Sequence, residues 1–130
     1  MGQNVKEIYS EFWREAIQFE RADKFKGAII KYREIIDRFP ESYSAYYRLA
    51  ILVDRTAENQ GDYDTAMAYY LTAASMNPKN YSQCYNNVGI ILEDKKDFIG
   101  AEEAYKKAIR FDEENDRRCD DIHFNLADLY

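Results

Sequence analysis

Any chemistry in this 130-residue chain must come from few side chains. There is one histidine, His123, and two cysteines, Cys84 and Cys119. The cysteines form neither a CxxC pair nor a disulfide framework. One His and two Cys cannot assemble the usual four-ligand zinc patterns. They read instead as ordinary thiols in a reducing compartment. The glycines, at 2, 27, 61, 89 and 100, form neither a dinucleotide-binding fingerprint nor a P-loop. The run Asp112-Glu113-Glu114-Asn115-Asp116 is acidic enough to suggest calcium. It lacks the glycine and the terminal glutamate spacing of an EF-hand and reads as a solvated connector. Carboxylates are abundant, yet no spacing singles out an acid/base pair. The expectation is no catalysis, no metal and no cofactor.

Charge and hydropathy narrow the classes further. The net charge is −6, which argues against a general nucleic-acid binder, since such a protein needs a basic stripe. Apolar runs such as Leu49-Ala50-Ile51-Leu52-Val53 are far shorter than the roughly 18 residues of a membrane span. The start, MGQNVKEIYSEF, has no apolar signal-peptide core. Lys6 stands where Met1-Gly2 myristoylation would want Ser or Thr. Neither nucleic acid nor membrane is expected as a partner.

The elements that would position a site show themselves as a repeat. Ala28–Pro40, Ala66–Pro78 and Ala101–Glu113 each begin with Ala and carry Tyr four residues later, at Tyr32, Tyr70 and Tyr105. A small or apolar residue follows three further on, at Ile35, Ala73 and Ala108. One helix face is thereby given a notch and a ring beside it. A second pattern precedes each copy: Phe12/Glu15/Ala16/Phe19, Tyr46/Leu49/Ala50/Val53 and Tyr85/Val88/Gly89/Leu92. It recurs at His123/Leu126/Ala127/Tyr130, where His123 takes the large packing position and reads as half-buried core. Turn signals separate the two patterns, with Asp62 and Asp97 as expected helix N-caps.

On these residues the chain resembles the tetratricopeptide repeat (TPR) family, over 9–130. The expected division is a leader 1–8 continuing into the first helix, repeats 9–42, 43–81 and 82–115, and a connector with the first helix of a partial repeat, 116–130. The middle repeat is longer, with its extra residues at Arg55–Gln60, where one more helical turn is expected. Glu15 departs from the family's apolar residue. Glu113 departs from its proline, which predicts a helix running on into 114–119. The resemblance implies an all-α fold of about seven helices, stacked as antiparallel pairs into a right-handed superhelix. It also implies a concave groove lined by the first helix of each repeat.

Carried over position by position, the groove residues are Trp13, Arg14, Ile17 and Arg21; then Tyr47, Arg48, Ile51 and Arg55; then Asn86, Asn87 and Ile90; then Phe124 and Asn125. Glu20, Asp54, Glu93, Asp94 and Asp128 face the same way. An asparagine at such a position suits a peptide backbone because an amide both donates and accepts. An arginine offers a fork for a carboxylate. The alternative for each arginine is a solvated charge paired with Glu20 or Asp54. For Trp13 it is partial burial against the leader. The family's carboxylate-clamp sub-type is excluded, because its lysine, arginine and asparagine positions hold Trp13, Ile17, Arg48, Gln83 and Asn87 in a non-matching order. Residues 1–55 carry a net +1 and residues 56–130 a net −7, so an acidic part of a ligand belongs with the first arginines.

The expected function is a non-catalytic protein–protein interaction scaffold that binds a peptide or helix in the groove. Two alternatives stand beside it. One is a small acidic TPR-type chaperone of a bacterial secretion system. The other is a targeting domain cut from a larger, enzymatic protein, which the ending at Tyr130 without a polar cap favours. The expected partner is a protein or peptide ligand with an acidic segment, with weak self-association through the C-terminal end, where Leu126, Leu129 and Tyr130 would be exposed. The expected compartment is the cytoplasm, or the periplasm if a signal peptide has been removed.

Overall fold

Among the described residues seven helices follow one another: α1 (Val5–Arg21), α2 (Phe25–Arg38), α3 (Tyr43–Arg55), α4 (Gln60–Met76), α5 (Tyr81–Asp94), α6 (Phe98–Glu114) and α7 (Asp120–Leu129). A short 3-10 turn, Pro78–Asn80, precedes α5. This computed structural model describes Gly2 and residues 4–130; Met1 and Gln3 of the leader lie outside the described residues. Among the described residues there is no strand, and no helix is long and apolar enough to cross a membrane. The chain divides into two compact units, 1–66 and 67–130.

In the first unit α1 packs on α2 and α2 on α3. Ala16, Ala28, Tyr32, Ile35, Ala45, Leu49 and Ala50 are fully buried. Glu15, the residue that breaks the apolar pattern, reaches sideways from α1 to Lys31 of α2 at 2.7 Å. Lys31 also meets Glu34 at 3.2 Å, and its ammonium lies 5.5 Å from the Phe12 ring centre. Hydrogen bonds to Glu15 and then Glu34 hold the Lys31 ammonium above its ordinary pKa. The charged residue therefore sits at the rim of the helix pair, and Ala16 beside it keeps the notch.

In the second unit α5 packs on α6 and α6 on α7. Ala101, Tyr105, Ala108, Ile109 and Ile122 form the core, with Tyr85, Leu92, Cys119, Leu126 and Leu129 packed against it. Leu126 and Leu129, expected to be exposed, are thus partly covered by their own unit, while Tyr130 is exposed as expected. The exposed rings there are Phe124, at 73%, and Tyr130, at 77%. Tyr81 stacks on Phe111 at 4.8 Å and tilts on Tyr85 at 4.6 Å. Tyr32, Tyr70 and Tyr105 are at most 2% exposed, as their spacing predicts.

Three helices end alike. After α1, Lys24 N–H reaches Phe19 C=O at 2.9 Å and Asp23 N–H reaches Glu20 C=O at 3.0 Å. After α5, Asp97 and Lys96 bond Leu92 and Glu93 at 2.8 and 2.9 Å. After α6, Arg117 and Asp116 bond Asp112 and Glu113 at 2.8 and 3.3 Å. These are Schellman closures, and each needs a left-handed residue: Asp23 (φ 57°), Lys96 (φ 66°) and Asp116 (φ 53°). The closure at Asp116, helped by Asn115 Nδ2 on Phe111 C=O at 2.8 Å, stops α6 at Glu114. It does not run into 114–119 as Glu113 had suggested.

The extra residues before Ala66 also have a definite place. α4 begins six residues before Ala66, whereas α2 and α6 begin three before Ala28 and Ala101. The added turn therefore belongs to the start of α4, and 56–59 is a loop. Asn59, rather than Asp62, caps it: Asp62 N–H bonds Asn59 Oδ1 at 3.0 Å. Asp62 sits in the first turn and takes the Glu58 N–H at 3.0 Å. Asp97 is the cap expected for α6, accepting from Gly100 N–H at 3.0 Å. Asp97→Ala should lower stability by about 1 kcal/mol, within the roughly 0.5–2 kcal/mol range of such caps, read as a lower urea midpoint at constant slope.

Candidate functional site

In the first unit the predicted face lies on α1 and α3. Trp13 is half-buried, edge-on to Tyr9 at 6.1 Å and to Tyr32 at 5.2 Å. Its Nε1 is buried without a hydrogen-bond partner. The indole packs between α1 and α2, against Tyr9 of its own helix and Tyr32 of the next. Ile17, Tyr47 and Ile51 are half-buried, while Arg14, Arg21, Arg48 and Arg55 are exposed. Arg14 borders a shallow recess of about 320 Å³ with Lys6, Glu7, Ser10 and Glu11. The Arg48 guanidinium stands 3.8 Å from Glu20 of α1. The Arg55 guanidinium rests 5.2 Å above the Phe25 ring.

Glu20 has a second task that the sequence reading missed. The Tyr32 hydroxyl donates to its Oε1. In the second unit the Tyr105 hydroxyl donates to Glu93 Oε1 at 3.0 Å. Burial first, and the carboxylate next, push both phenols above their ordinary pKa. In each case the tyrosine follows its glutamate by twelve residues, and this recurrence was the available signal. Glu20 and Glu93 therefore anchor the core tyrosine of the next helix.

In the second unit the face lies on α5 and α7. Asn86 is buried, at 8% exposure. Asn125 Nδ2 donates to its Oδ1 at 2.9 Å, so the two predicted amides meet across the helices. Asn87 is half-buried; Ile90 and Phe124 are exposed, at 39% and 73%. The pair uses one donor and one acceptor. Asn125, the more exposed partner, keeps its carbonyl oxygen outside that bond.

Two titratable residues, His123 and Asp112, fall differently from their sequence reading. Cys84 is fully buried, and burial pushes its thiol up to about 12. Cys119 is half-buried beside α7. His123 is exposed, not half-buried core, with Nε2 3.6 Å from Glu113 Oε1. Asp112 is 3% exposed and belongs to the last turn of α6, so the acidic run is not wholly a solvated connector. Glu113, Cys119 and His123 bring one possible metal-ligand atom each within 4.8 Å of one another.

Comparison with known proteins adds to this geometry. Tetratricopeptide repeat family models match residues 14–81 and 82–115. No curated protein sequence matches the chain. Among solved structures it is similar to MamA, at 22% identity and a TM-score of 0.72, over 82% of this chain and 60% of that one. The chain thus spans less than two thirds of that protein's length. It is similar to the TPR2B domain in the TPR2B-domain:pHsp70-complex of yeast Sti1, at 20% identity and a TM-score of 0.72, over 94% of this chain and 98% of that one. It is also similar to the Sgt2 TPR domain from Aspergillus fumigatus, at 22% identity and a TM-score of 0.71, over 93% and 76%. At these identities the likeness is one of fold.

Proposed function

Because the chain belongs to the tetratricopeptide repeat family, we propose that it is a non-catalytic interaction scaffold whose first-helix faces hold a protein ligand as an extended peptide or helix. The observation that carries this reading is the amide pair Asn86–Asn125. A nearly buried amide is orienting a more exposed one on the neighbouring helix, which suits a site that holds a peptide main chain. Around it Ile90 and Phe124 offer apolar contact.

On the α1 and α3 face the exposed arginines favour an acidic segment. The Arg48–Glu20 contact is long and half-solvated, so it is worth only about 0.2–1 kcal/mol and yields readily to a better carboxylate. A few charge-assisted bonds, at roughly 1.5–3 kcal/mol each, with apolar contact make micromolar affinity the expected scale, about −8 kcal/mol.

The test is selection of short random peptides on phage against the immobilised chain, followed by anisotropy titration of the enriched ones. Acidic peptides should be enriched, and their binding should weaken as salt rises. Arg14→Glu with Arg48→Glu should weaken binding at least tenfold with helicity unchanged. Asn125→Ala should weaken it across peptide sequences alike. Enrichment without acidic bias, and affinities indifferent to all three substitutions, would remove these faces as the site.

A further inference from the structure

Three side chains of different chemistry converge where α6 gives way to α7. Glu113 stands in the last turn of α6, Cys119 immediately precedes α7, and His123 lies in its first turn. Cys119 and His123 are four residues apart, one helical turn, and so fall on the same side. The possible ligand atoms of all three lie within 4.8 Å of one another. His123 Nε2 and Glu113 Oε1 are 3.6 Å apart. Tetrahedral zinc, with bonds of roughly 2.0–2.3 Å, sets its ligand atoms about 3.3–3.6 Å apart. One edge of that tetrahedron is already in place. The sulfur closes on it by side-chain rotation, because both other side chains are exposed.

The surroundings of Cys119 are acidic on a further side, in a recess that Glu113 and His123 do not line. Cys119 borders a recess of about 410 Å³ that is also lined by Asp112, Asp120 and Asp121. Asp112 is 3% exposed, and its Oδ1 is buried without a hydrogen-bond partner. A buried carboxylate oxygen with no donor is costly; Asp112 adds negative charge to the recess that Cys119 borders, without belonging to the three-residue set. Two arginines also line the recess, but both are engaged. Arg117 donates to the Lys79 carbonyl at 3.3 Å and rests on the Phe111 ring. Arg118 pairs with Asp120 at 2.9 Å.

We propose that Glu113, Cys119 and His123 bind one borderline divalent cation of the zinc class, which clasps the start of α7 to the end of α6. The thiolate and imidazole select against magnesium and calcium, which take oxygen ligands. On binding, Cys119 gives its thiol proton to solvent, neutral His123 gives its ring lone pair, and water completes the coordination.

The experiment is titration of the reduced, purified chain with cobalt(II), displaced afterwards by zinc(II). A thiolate-to-cobalt charge-transfer band should appear and saturate at one ion per chain. Zinc should abolish it and slow amide exchange in α7. Cys119→Ser should remove the band, and Cys84→Ala should leave it. His123→Gln and Glu113→Gln lie on exposed residues and spare the core. Each should weaken binding by at least the roughly 10–100-fold that loss of an outer-shell partner costs. The proposal is overturned by no band at millimolar cobalt, by a band that survives Cys119→Ser, by saturation at one ion per two chains, or by affinities unchanged in both exposed variants.

Discussion

Tyr105→Ala should cost about 3–5 kcal/mol, as truncation of a buried aromatic ring does. Tyr105 is 1% exposed and lies among Ala101, Ala108, Ile109 and Ile122. Alanines on its own helix cannot move in to fill the gap. The substitution also takes the hydroxyl from Glu93, but Glu93 is only half-buried and water can replace the donor. Tyr105→Phe should therefore cost much less, about 1 kcal/mol, near the mean for one hydrogen bond. A domain of this kind holds about 5–15 kcal/mol in all, so the alanine variant loses a large fraction of it. Hydrogen exchange should show the loss first in α5, α6 and α7. Equal costs for the two variants would mean that the bond to Glu93, not the ring, is what matters.

The same ring shows why so much of the fold was legible. Ala101, Tyr105 and Ala108 recur every three or four residues, and so do Ala28, Tyr32 and Ile35. A period that places small and large side chains on one face prescribes both a helix and its close partner. The all-α class and the seven helices follow from it. The next member of that row is Asp112, four residues after Ala108, and it is buried as the period requires. Its acidic neighbours disguised it, because a run of carboxylates looks like solvated chain.

Local closures were less legible. Nothing in the type of Asp23, Lys96 or Asp116 marks a left-handed residue as a glycine would, so the stop after Glu114 was not foreseen. The candidate faces were legible as positions but not as partners. Asn86 and Asn125 were each named, yet their bond needs α5 and α7 side by side. Trp13 was carried over as a groove residue by its position in the first helix. The ring of Tyr32, one helix on, draws it inward. His123 fills the large position of its pattern, but a pattern residue is buried only where something packs on it. Its near neighbour is Glu113, and together with Cys119 the two form a donor set that no counting of cysteines and histidines would reveal.

The second large effect is expected at Gly89, where the same tyrosine leaves no room for a large side chain. A Cβ at Gly89 would lie 2.5 Å from Cε1 and 2.7 Å from Cδ1 of Tyr105. The ring cannot yield: it is buried among fully buried alanines, and its hydroxyl is tied to Glu93. Gly27 makes a contrast, since the ring that its Cβ would meet belongs to Phe19, which is only half-buried and free to turn. For Gly89→Ala two terms oppose each other. Helix propensity favours Ala by about 1 kcal/mol, while overpacking costs roughly 1–3 kcal/mol, so the net loss is small. Gly89→Leu adds three more carbons to the same collision and should cost about 3 kcal/mol, at the top of that range or beyond it. The decisive measurement is a double-mutant cycle by urea denaturation. With Tyr105→Ala in place the collision is gone, and a Leu at 89 fills part of the cavity left by the ring. The double variant should then be at least as stable as Tyr105→Ala alone, with a coupling at or above the upper end of the roughly 0.5–3 kcal/mol seen for touching residues. If the two costs simply add, the notch at Gly89 and the ring of Tyr105 do not fit each other in the way that this packing requires.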